Sequence, residues 1–138
     1  MKKFEIYKVN LGKGQGSEHS GTKYCVIVQN NTGNKFSPTT TIVPITSKSH
    51  NKSMKTHVTI NDVLPLESYI VCEQIRTIDK SRILEYVCTL PDCYFGELER
   101  AIRVQLGFGN VRVYVEIGAK EPEQEPVNNI ECTDTIGV

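Results

Sequence analysis

Short runs of alternating or β-branched apolar residues predict that this chain is mostly β. Each run is bounded by clusters of Gly, Asn, Pro or Ser, which favour turns. The six runs cover residues 4–9, 24–29, 39–45, 57–60, 68–72 and 85–90. Strands this closely spaced leave no room for the helical crossovers of a parallel sheet, so the pattern favours a small barrel or sandwich.

One helix is predicted near the end of the apolar pattern, from about residue 91 to residue 106. Pro91 suits its first turn, and Gly107 suits its end. Four apolar residues recur with helical spacing and would share one face: Phe95, Leu98, Ala101 and Ile102. We therefore expect a mostly β, α+β domain over residues 1–110. Residues 111–138 are expected to add a short extra strand and an acidic, disordered tail.

Composition excludes several classes of protein. A chain of 138 residues, 38% of them hydrophobic, suffices for the core of one domain. No run of about 18 apolar residues occurs, and Glu5 and Lys8 interrupt the N-terminus, so we expect no membrane span, no signal peptide and a cytoplasmic location. The five cysteines lack CxxC or Cys/His ligand spacing. They predict buried free thiols rather than disulfides or a zinc site, and we expect no cofactor.

The formal net charge of zero hides a segregation of charge along the chain. No acidic residue lies between Glu18 and Asp62, and the first 112 residues carry 15 basic and 10 acidic side chains, a net of +5. The remaining residues have a net charge of −5. A basic body suits an anionic partner, although solvated lysine loops would have the same composition. The acidic tail either competes for the basic surface or is an inert extension.

If the anionic partner were RNA, its metal-free cleavage would need one group to accept the 2′-hydroxyl proton, one to protonate the departing 5′-oxygen, and donors that stabilise the phosphate. Lys23, Thr46, Ser17 and Arg76 are chemically able to share these tasks, but their spacing distinguishes no pair. No GxSxG pattern occurs, and the glycine-rich stretch at residues 12–17 lacks the pattern of a nucleotide P-loop. The residues alone leave the chemistry open.

Several strings of residues follow one another in a distinctive order. They are Gly16-Ser17-Glu18-His19-Ser20-Gly21-Thr22-Lys23, Gln29-Asn30, Gly33-Asn34-Lys35-Phe36-Ser37-Pro38, Pro44-Ile45-Thr46-Ser47 and Glu73-Gln74-Ile75-Arg76-Thr77-Ile78-Asp79-Lys80. Together they resemble the PemK/MazF family of small endoribonuclease toxins of type II toxin–antitoxin systems, over about residues 4–108. The resemblance implies a small SH3-like (PemK-like) β-barrel with one C-terminal α-helix.

The resemblance also implies a site and its partners. The family's catalytic arginine, an acid/base and phosphate stabiliser, corresponds to Lys23, and the threonine that helps hold the scissile phosphate corresponds to Thr46. The implied RNA-binding residues are Ser17, Glu18, His19, Asn30, Asn34, Phe36, Glu73, Gln74 and Arg76. We expect ribosome-independent, metal-independent, sequence-selective cleavage of single-stranded mRNA through a 2′,3′-cyclic phosphate. The implied partners are a second copy, in a homodimer, and a cognate antitoxin whose disordered segment covers the RNA groove.

Two positions depart from the family pattern. Phe4-Glu5 stands where the family has Gly-Asp, and Lys23-Tyr24 stands where it has Arg-Pro. Lysine offers three donors but no planar fork for bidentate phosphate contact, so a weakened or inactive module that binds RNA or antitoxin is one alternative. A gyrase-directed poison of the same superfamily is a second.

Several implied RNA-binding residues have structural alternatives. Arg76 could form an ion pair with Asp79 at a strand end, and residues 73–74 could face solvent on a half-buried strand. Phe36 could plug the core beside a turn. His19 could take part in proton transfer, because histidine titrates near neutral pH.

Overall fold

A computed structural model of the chain describes residues 1–47 and 54–108. The strands are β1 (Glu5–Asn10), β2 (Thr22–Ile27), β3 (Thr39–Thr46), β4 (His57–Ile60), β5 (Ser68–Val71), β6 (Arg76–Asp79) and β7 (Ile83–Thr89), and the helices are α1 (Asn31–Phe36) and α2 (Phe95–Leu106). Single 3₁₀ turns cover Cys72–Gln74, Lys80–Arg82 and Asp92–Tyr94. Among these residues no helix is both long and apolar enough to cross a membrane. The strand predicted at 111–117, the acidic tail and the boundary at residue 110 lie outside the described residues.

The strands form one antiparallel sheet in which β3 is the central element. One edge of β3 pairs with β2, and the other pairs with β6 along Thr39–Ile42 and then with β5 at Ile45 and Thr46. The hydrogen-bonded order is β4-β5-β3-β2-β1-β7, with β6 beside β3. Within the described residues β4 and β7 do not pair, so hydrogen bonds do not close the sheet into a barrel. The predicted mostly β, α+β fold with antiparallel strands and one C-terminal helix is confirmed.

Two buried apolar clusters hold the sheet together. Because side chains alternate along a strand, β2 contributes Val26 to the larger cluster, and Cys25 and Ile27 to the smaller one. Helix α2 covers the larger cluster with Leu98 and Ala101, both buried. The face predicted for this helix is therefore confirmed.

The cysteines of the described region are free thiols, as predicted. Cys25 and Cys72 are buried, as predicted, whereas Cys88 is only half-buried and Cys93 is exposed, so the prediction of a buried thiol is wrong for Cys93. Burial raises the pKa of Cys25 to about 12, and it raises the pKa of Cys72 to about 12 as well. Cys25 lies two residues from Lys23, but as a buried thiol it is no nucleophile at neutral pH.

Two elements differ from the sequence pattern. Residues 33–38, whose sequence is typical of a turn, contain the end of α1. Arg76, expected at the end of a strand, begins the separate strand β6. Helix α1 buries only Asn34, and β6 buries one of its four residues, so neither element shows a repeated apolar position. In β6, Ile78 is the one buried residue. Gly107, with a φ of +76°, ends α2 as predicted.

Candidate active site

Lys23 and Thr46, the two predicted catalytic residues, lie at neighbouring strand ends. Lys23 follows the first residue of β2, and Thr46 is the last residue of β3. The pairing of β2 with β3 ends at Cys25 and Pro44, two residues from Lys23 on one strand and two residues from Thr46 on the other. Both residues are half-buried, and both line one groove of about 470 Å³. The fold therefore brings together two residues that are far apart in the sequence.

The groove has a polar side and an apolar side. A second lysine, Lys8 of β1, lines it, and its ammonium lies 3.7 Å from the carboxylate of Glu85 in an exposed ion pair. The apolar side is formed by Tyr24, Ile45 and the segment 64–66. No sequence pattern marks Lys8 or this segment as lining residues, because only strand register brings them to Lys23. Cationic and apolar walls in one groove suit a ligand with a phosphate and a flat apolar ring.

Gln74 ties the loop before β2 to the turn after β5. The backbone N–H of His19 donates to Oε1 of Gln74 at 3.3 Å, and Nε2 of Gln74 donates to the carbonyl oxygen of Ser17 at 3.5 Å. Within the loop, Oε1 of Glu18 accepts from the backbone N–H of Gln15 at 2.8 Å. Of the predicted RNA-binding residues, Ser17 and Glu18 are exposed, whereas Gln74 is half-buried with its amide directed to the backbone. Gln74 thus positions the loop that leads to Lys23.

Glu73, the other residue of the predicted Glu-Gln pair, is engaged inside the protein. Its Oε1 accepts from the hydroxyl of Thr56 at 2.9 Å, and its Oε2 lies 2.9 Å from Nε2 of His57, whose side chain is 8% exposed. Burial alone would raise the pKa of Glu73, but hydrogen bonds from His57, from its own backbone and from Thr56 hold it below its usual 4.5. No sequence pattern marks His57 as part of this site, because only the pairing of β4 with β5 brings it near Glu73.

His19 lies beside this group, with a half-buried side chain. Its ring nitrogen Nδ1 is buried and has no hydrogen-bond partner among the residues that the structure describes. Burial lowers the pKa of His19 below its usual 6.5 and the charge of Lys23 lowers it further; Glu73 opposes this, and His57 adds to it. The charges of Lys23, His57 and Glu73 therefore all act on the pKa of His19.

The three predicted RNA-binding residues in and next to helix α1 differ in their exposure to solvent. Asn30 is exposed and caps the helix, since its Oδ1 accepts from the N–H of Gly33 at 2.8 Å. Phe36 is 75% exposed, with the ammonium of Lys35 5.4 Å from its ring centroid, so it is not a core plug. Asn34 is 5% exposed and does not present its side chain to a ligand.

The buried amide of Asn34 is used within the protein. Its Oδ1 accepts from the hydroxyl of Thr40 at 2.7 Å and from Nε2 of Gln29 at 3.2 Å, and its Nδ2 donates to the carbonyl oxygen of Gln29 at 2.9 Å. Nζ of Lys80 donates to the backbone oxygen of Asn34. These contacts give the Asn34 side chain a structural role, because buried amides need protein partners, and direct RNA contact by Asn34 stays a prediction.

Arg76 begins β6 and lies opposite Ile42 of β3, half-buried. Within the described residues no ion pair joins it to Asp79, whose carboxylate instead accepts from the N–H of Ser81 at 2.9 Å. Its charge acts on Cys25, two residues from Lys23, so Arg76 lies near the site. In the same part of the chain no cluster of three or more His, Cys, Asp or Glu side chains is arranged to hold a metal ion.

Comparison with known proteins gives one consistent family. A family model described as PemK-like, MazF-like toxin of type II toxin-antitoxin system matches residues 2–106. The chain is 39% identical over 115 residues to "Endoribonuclease MazF" of Staphylococcus saprophyticus subsp. saprophyticus, covering 81% of this chain and 96% of the relative.

Two solved structures share the fold at lower identity. One is an endoribonuclease in complex with its cognate antitoxin from Mycobacterial species, with a TM-score of 0.67 and 22% identity, covering 80% of this chain and 98% of the other. The second is MazF from Deinococcus radiodurans, with a TM-score of 0.68 and 19% identity, covering 78% and 96%.

Proposed function

The chain belongs to the family of PemK-like, MazF-like toxins of type II toxin-antitoxin systems, and from this premise we propose that it is an endoribonuclease that cleaves single-stranded messenger RNA. The observation that carries the proposal is that Lys23 and Thr46 line the same groove. The relative with 39% identity, named an endoribonuclease, supports the nuclease branch over a gyrase-directed poison. The proposed activity is independent of ribosomes and metal ions, acts at selected sequences, and belongs to the cytoplasm, where messenger RNA is found.

The proposed reaction uses the two polar groups of the groove. The scissile phosphate binds between Lys23 and Thr46, whose ammonium and hydroxyl donate hydrogen bonds to its oxygens. The 2′-hydroxyl gives its proton to solvent water as the 2′-oxygen bonds to phosphorus, the bond from phosphorus to the 5′-oxygen breaks, and the departing 5′-oxygen keeps the electron pair and takes a proton from Lys23. The products are a 2′,3′-cyclic phosphate and a 5′-hydroxyl. A fixed cation supplies the charge stabilisation that a metal ion gives in other nucleases, so no metal enters the scheme.

The surroundings of the groove support binding of single-stranded RNA. Phe36 and Lys35 offer an exposed ring with a neighbouring cation, which suits stacking of an unpaired base. The apolar segment 64–66 offers a second surface for a base. We propose that five of the other predicted residues also contact the RNA: Ser17, Glu18, His19, Asn30 and Arg76. Glu73 and Gln74 act instead through the loop and strand contacts described above.

The proposed protein partners are a second copy of the chain and a cognate antitoxin. A structural neighbour is an endoribonuclease in complex with its cognate antitoxin, which supports the second of these. A disordered antitoxin segment laid over the Lys23 groove would block RNA by occupying the same cations. We propose that inhibition works in this way.

The test is incubation of the purified protein with a long transcribed RNA in the presence of EDTA, with primer extension to map the ends. We expect discrete cuts with cyclic-phosphate ends, and loss of about 10² to 10⁴ in rate for Lys23→Ala. Lys2→Ala, which removes an exposed lysine outside the groove, should cleave like the wild type. An RNA left intact by wild-type protein would refute the nuclease function.

Lys23 itself favours one second candidate, a module that binds RNA or antitoxin without cutting. An ammonium lacks the bidentate fork that a guanidinium brings to phosphate. Undiminished RNA affinity without cleavage, together with cleavage by Lys23→Arg, would establish this candidate instead.

A further inference from the structure

Two lysines line the proposed RNA groove, and the proposed reaction uses one of them. Lys8 of β1 lines the groove together with Lys23. Lys8 lies opposite Tyr24 in the pairing of β1 with β2, and the next pair along the two strands is Val9 with Lys23. No acidic side chain is among the described residues that line the groove, so its charge suits a polyanion that brings more than one phosphate.

We propose that Lys8, Tyr24 and Leu66 form a subsite for one nucleotide of the RNA beside the scissile phosphate. Lys8 binds the phosphate of this nucleotide, and the apolar wall contacts its base. The subsite rests on the proposed use of the groove by RNA and adds a phosphate contact and a base contact to it. In the free protein Glu85 holds the ammonium of Lys8, and the RNA phosphate replaces this carboxylate.

The ion pair between Lys8 and Glu85 is one that a phosphate can replace. Glu85 lies opposite Lys8 on β7, and the ammonium and the carboxylate are 3.7 Å apart. A charge-assisted hydrogen bond is shorter, at about 2.7–2.9 Å. The two side chains are 41% and 65% exposed, and exposed ion pairs contribute little to stability. Exchange of the carboxylate for a phosphate therefore costs the fold little.

The ammonium and the ring of the subsite face the groove from the same side. Residues directly opposite each other on antiparallel strands present their side chains on the same face of the sheet, and Lys8 and Tyr24 are such a pair. The groove has a volume of about 470 Å³, within the range of about 300–1,000 Å³ that is usual for small-ligand sites. It therefore has room for a nucleotide with its base on the apolar wall and its phosphate at Lys8.

Contacts with the core hold the apolar wall in place. Leu64 is buried in the larger apolar cluster, and Tyr24 packs against the same cluster. The hydroxyl of Ser68 donates to the carbonyl oxygen of Leu66 at 2.8 Å and closes the turn between them. Leu66 itself is 65% exposed. A large apolar side chain exposed at the wall of a groove offers a surface for the face of an unpaired base.

The experiment measures the affinity of a labelled 2′-O-methyl RNA, which lacks the attacking 2′-hydroxyl, by fluorescence anisotropy over a range of salt concentrations. Lys8→Met removes the charge and keeps an apolar stem. We expect it to bind about tenfold more weakly at low salt. The slope of log affinity against log salt should fall by about 0.7, the value for one phosphate of a single strand. Lys8→Arg should retain the slope, and Lys2→Ala, at an exposed position outside the groove, should match wild type.

Glu85→Gln tests the exchange of carboxylate for phosphate. With Lys8 present it should tighten binding by about two- to fivefold, because it removes the competitor of the phosphate. In the Lys8→Met background it should change nothing, since the two residues act as one pair. Glu99→Gln is the matched control, because it removes the same charge from an exposed ion pair with Arg103 on α2. Its affinity for the RNA should equal that of wild type.

Leu66→Gln tests the base contact separately from the phosphate contact. It removes an apolar surface and no charge, so binding should weaken severalfold while the salt slope stays at the wild-type value. Urea unfolding should give the wild-type midpoint for Lys8→Met, Glu85→Gln and Leu66→Gln, because all three positions carry exposed side-chain atoms. An unchanged midpoint assigns the changes in affinity to the groove.

Wild-type affinity and salt slope in Lys8→Met would overturn the subsite, while the nuclease function, which depends on Lys23 and Thr46, would stand. A gain from Glu85→Gln that persists without Lys8 would overturn the exchange. If Lys8→Met weakens binding of a Glu-rich peptide but not of the RNA, Lys8 serves a protein partner and the subsite is wrong. If wild type leaves transcribed RNA uncut but the variants change RNA binding as expected, the nuclease function fails and the subsite stands.

Discussion

Replacing Asn34 by alanine tests whether this residue serves the fold or the RNA. Its side chain makes three hydrogen bonds, with Thr40 and Gln29, in a position 5% exposed. Each such bond contributes about 1 kcal/mol, and Thr40, 0% exposed, would keep a hydroxyl without its partner at a cost of about 1–3 kcal/mol. We expect Asn34→Ala to lower the free energy of unfolding by about 3 kcal/mol.

The assay is urea unfolding followed by circular dichroism. With a slope of about 1.5 kcal/mol per molar urea, the midpoint should fall by roughly 2 M. The double variant Asn34→Ala/Thr40→Val should cost about 1 kcal/mol less than the sum of the single variants, because it leaves no buried hydroxyl unpaired. Thr32→Ala, at an exposed position of the same helix, should change stability by less than about 0.5 kcal/mol.

The result that refutes this reasoning is a variant of unchanged stability that binds RNA more weakly. Asn34 would then contact the RNA, as the family resemblance implied, and its hydrogen bonds within the fold would contribute little. RNA affinity is best compared at a temperature where both proteins are fully folded, since partial unfolding would imitate a binding defect.

Three further predictions concern the site. Gln74→Leu removes the hydrogen bonds to Ser17 and His19, so the cleavage rate should fall while the unfolding midpoint changes little; single-turnover kinetics and urea unfolding measure the two effects. Glu73 has a folded-state pKa below its usual 4.5, so its contacts stabilise the fold above that pH and are lost as the pH falls through the folded pKa. Urea unfolding from about pH 7 to about pH 3 should therefore show a steeper loss for wild type than for Glu73→Gln. Phe36→Ala removes a ring that is 75% exposed, so stability should hold while RNA binding weakens by about 1–3 kcal/mol in fluorescence anisotropy; an equal affinity would remove this ring from the RNA surface.

Most of the sheet could be predicted because five of its strands carry two or more apolar residues that become buried. The run at residues 57–60 coincides with β4, and those at 39–45 and 68–72 differ from β3 and β5 by one residue at one end. Helix α2 has a clear apolar face, and Gly107 marks its end. Elements α1 and β6 could not be predicted, because each of them buries a single residue and their formation depends on contacts with β3.

The candidate site, like the fold, could be predicted from the sequence only in part. Similarity of sequence was enough to single out Lys23 and Thr46, and the chain's membership of the toxin family supports them. The direction of each neighbouring side chain was not available from the sequence. Glu73 and Gln74 are neighbours in the sequence, yet Glu73 binds His57 and Gln74 holds the loop at His19.

The sequence by itself determined the mostly β class, the family and the two residues proposed for the chemistry, because alternation and local strings of residues are properties of short segments. Only the tertiary structure decided that Asn34 is buried, that Phe36 is exposed and that His19 lies in the electrostatic field of Lys23, His57 and Glu73. Burial and charge proximity depend on which strands pair and in which register. Those pairings join residues dozens of positions apart, so no short segment contains them.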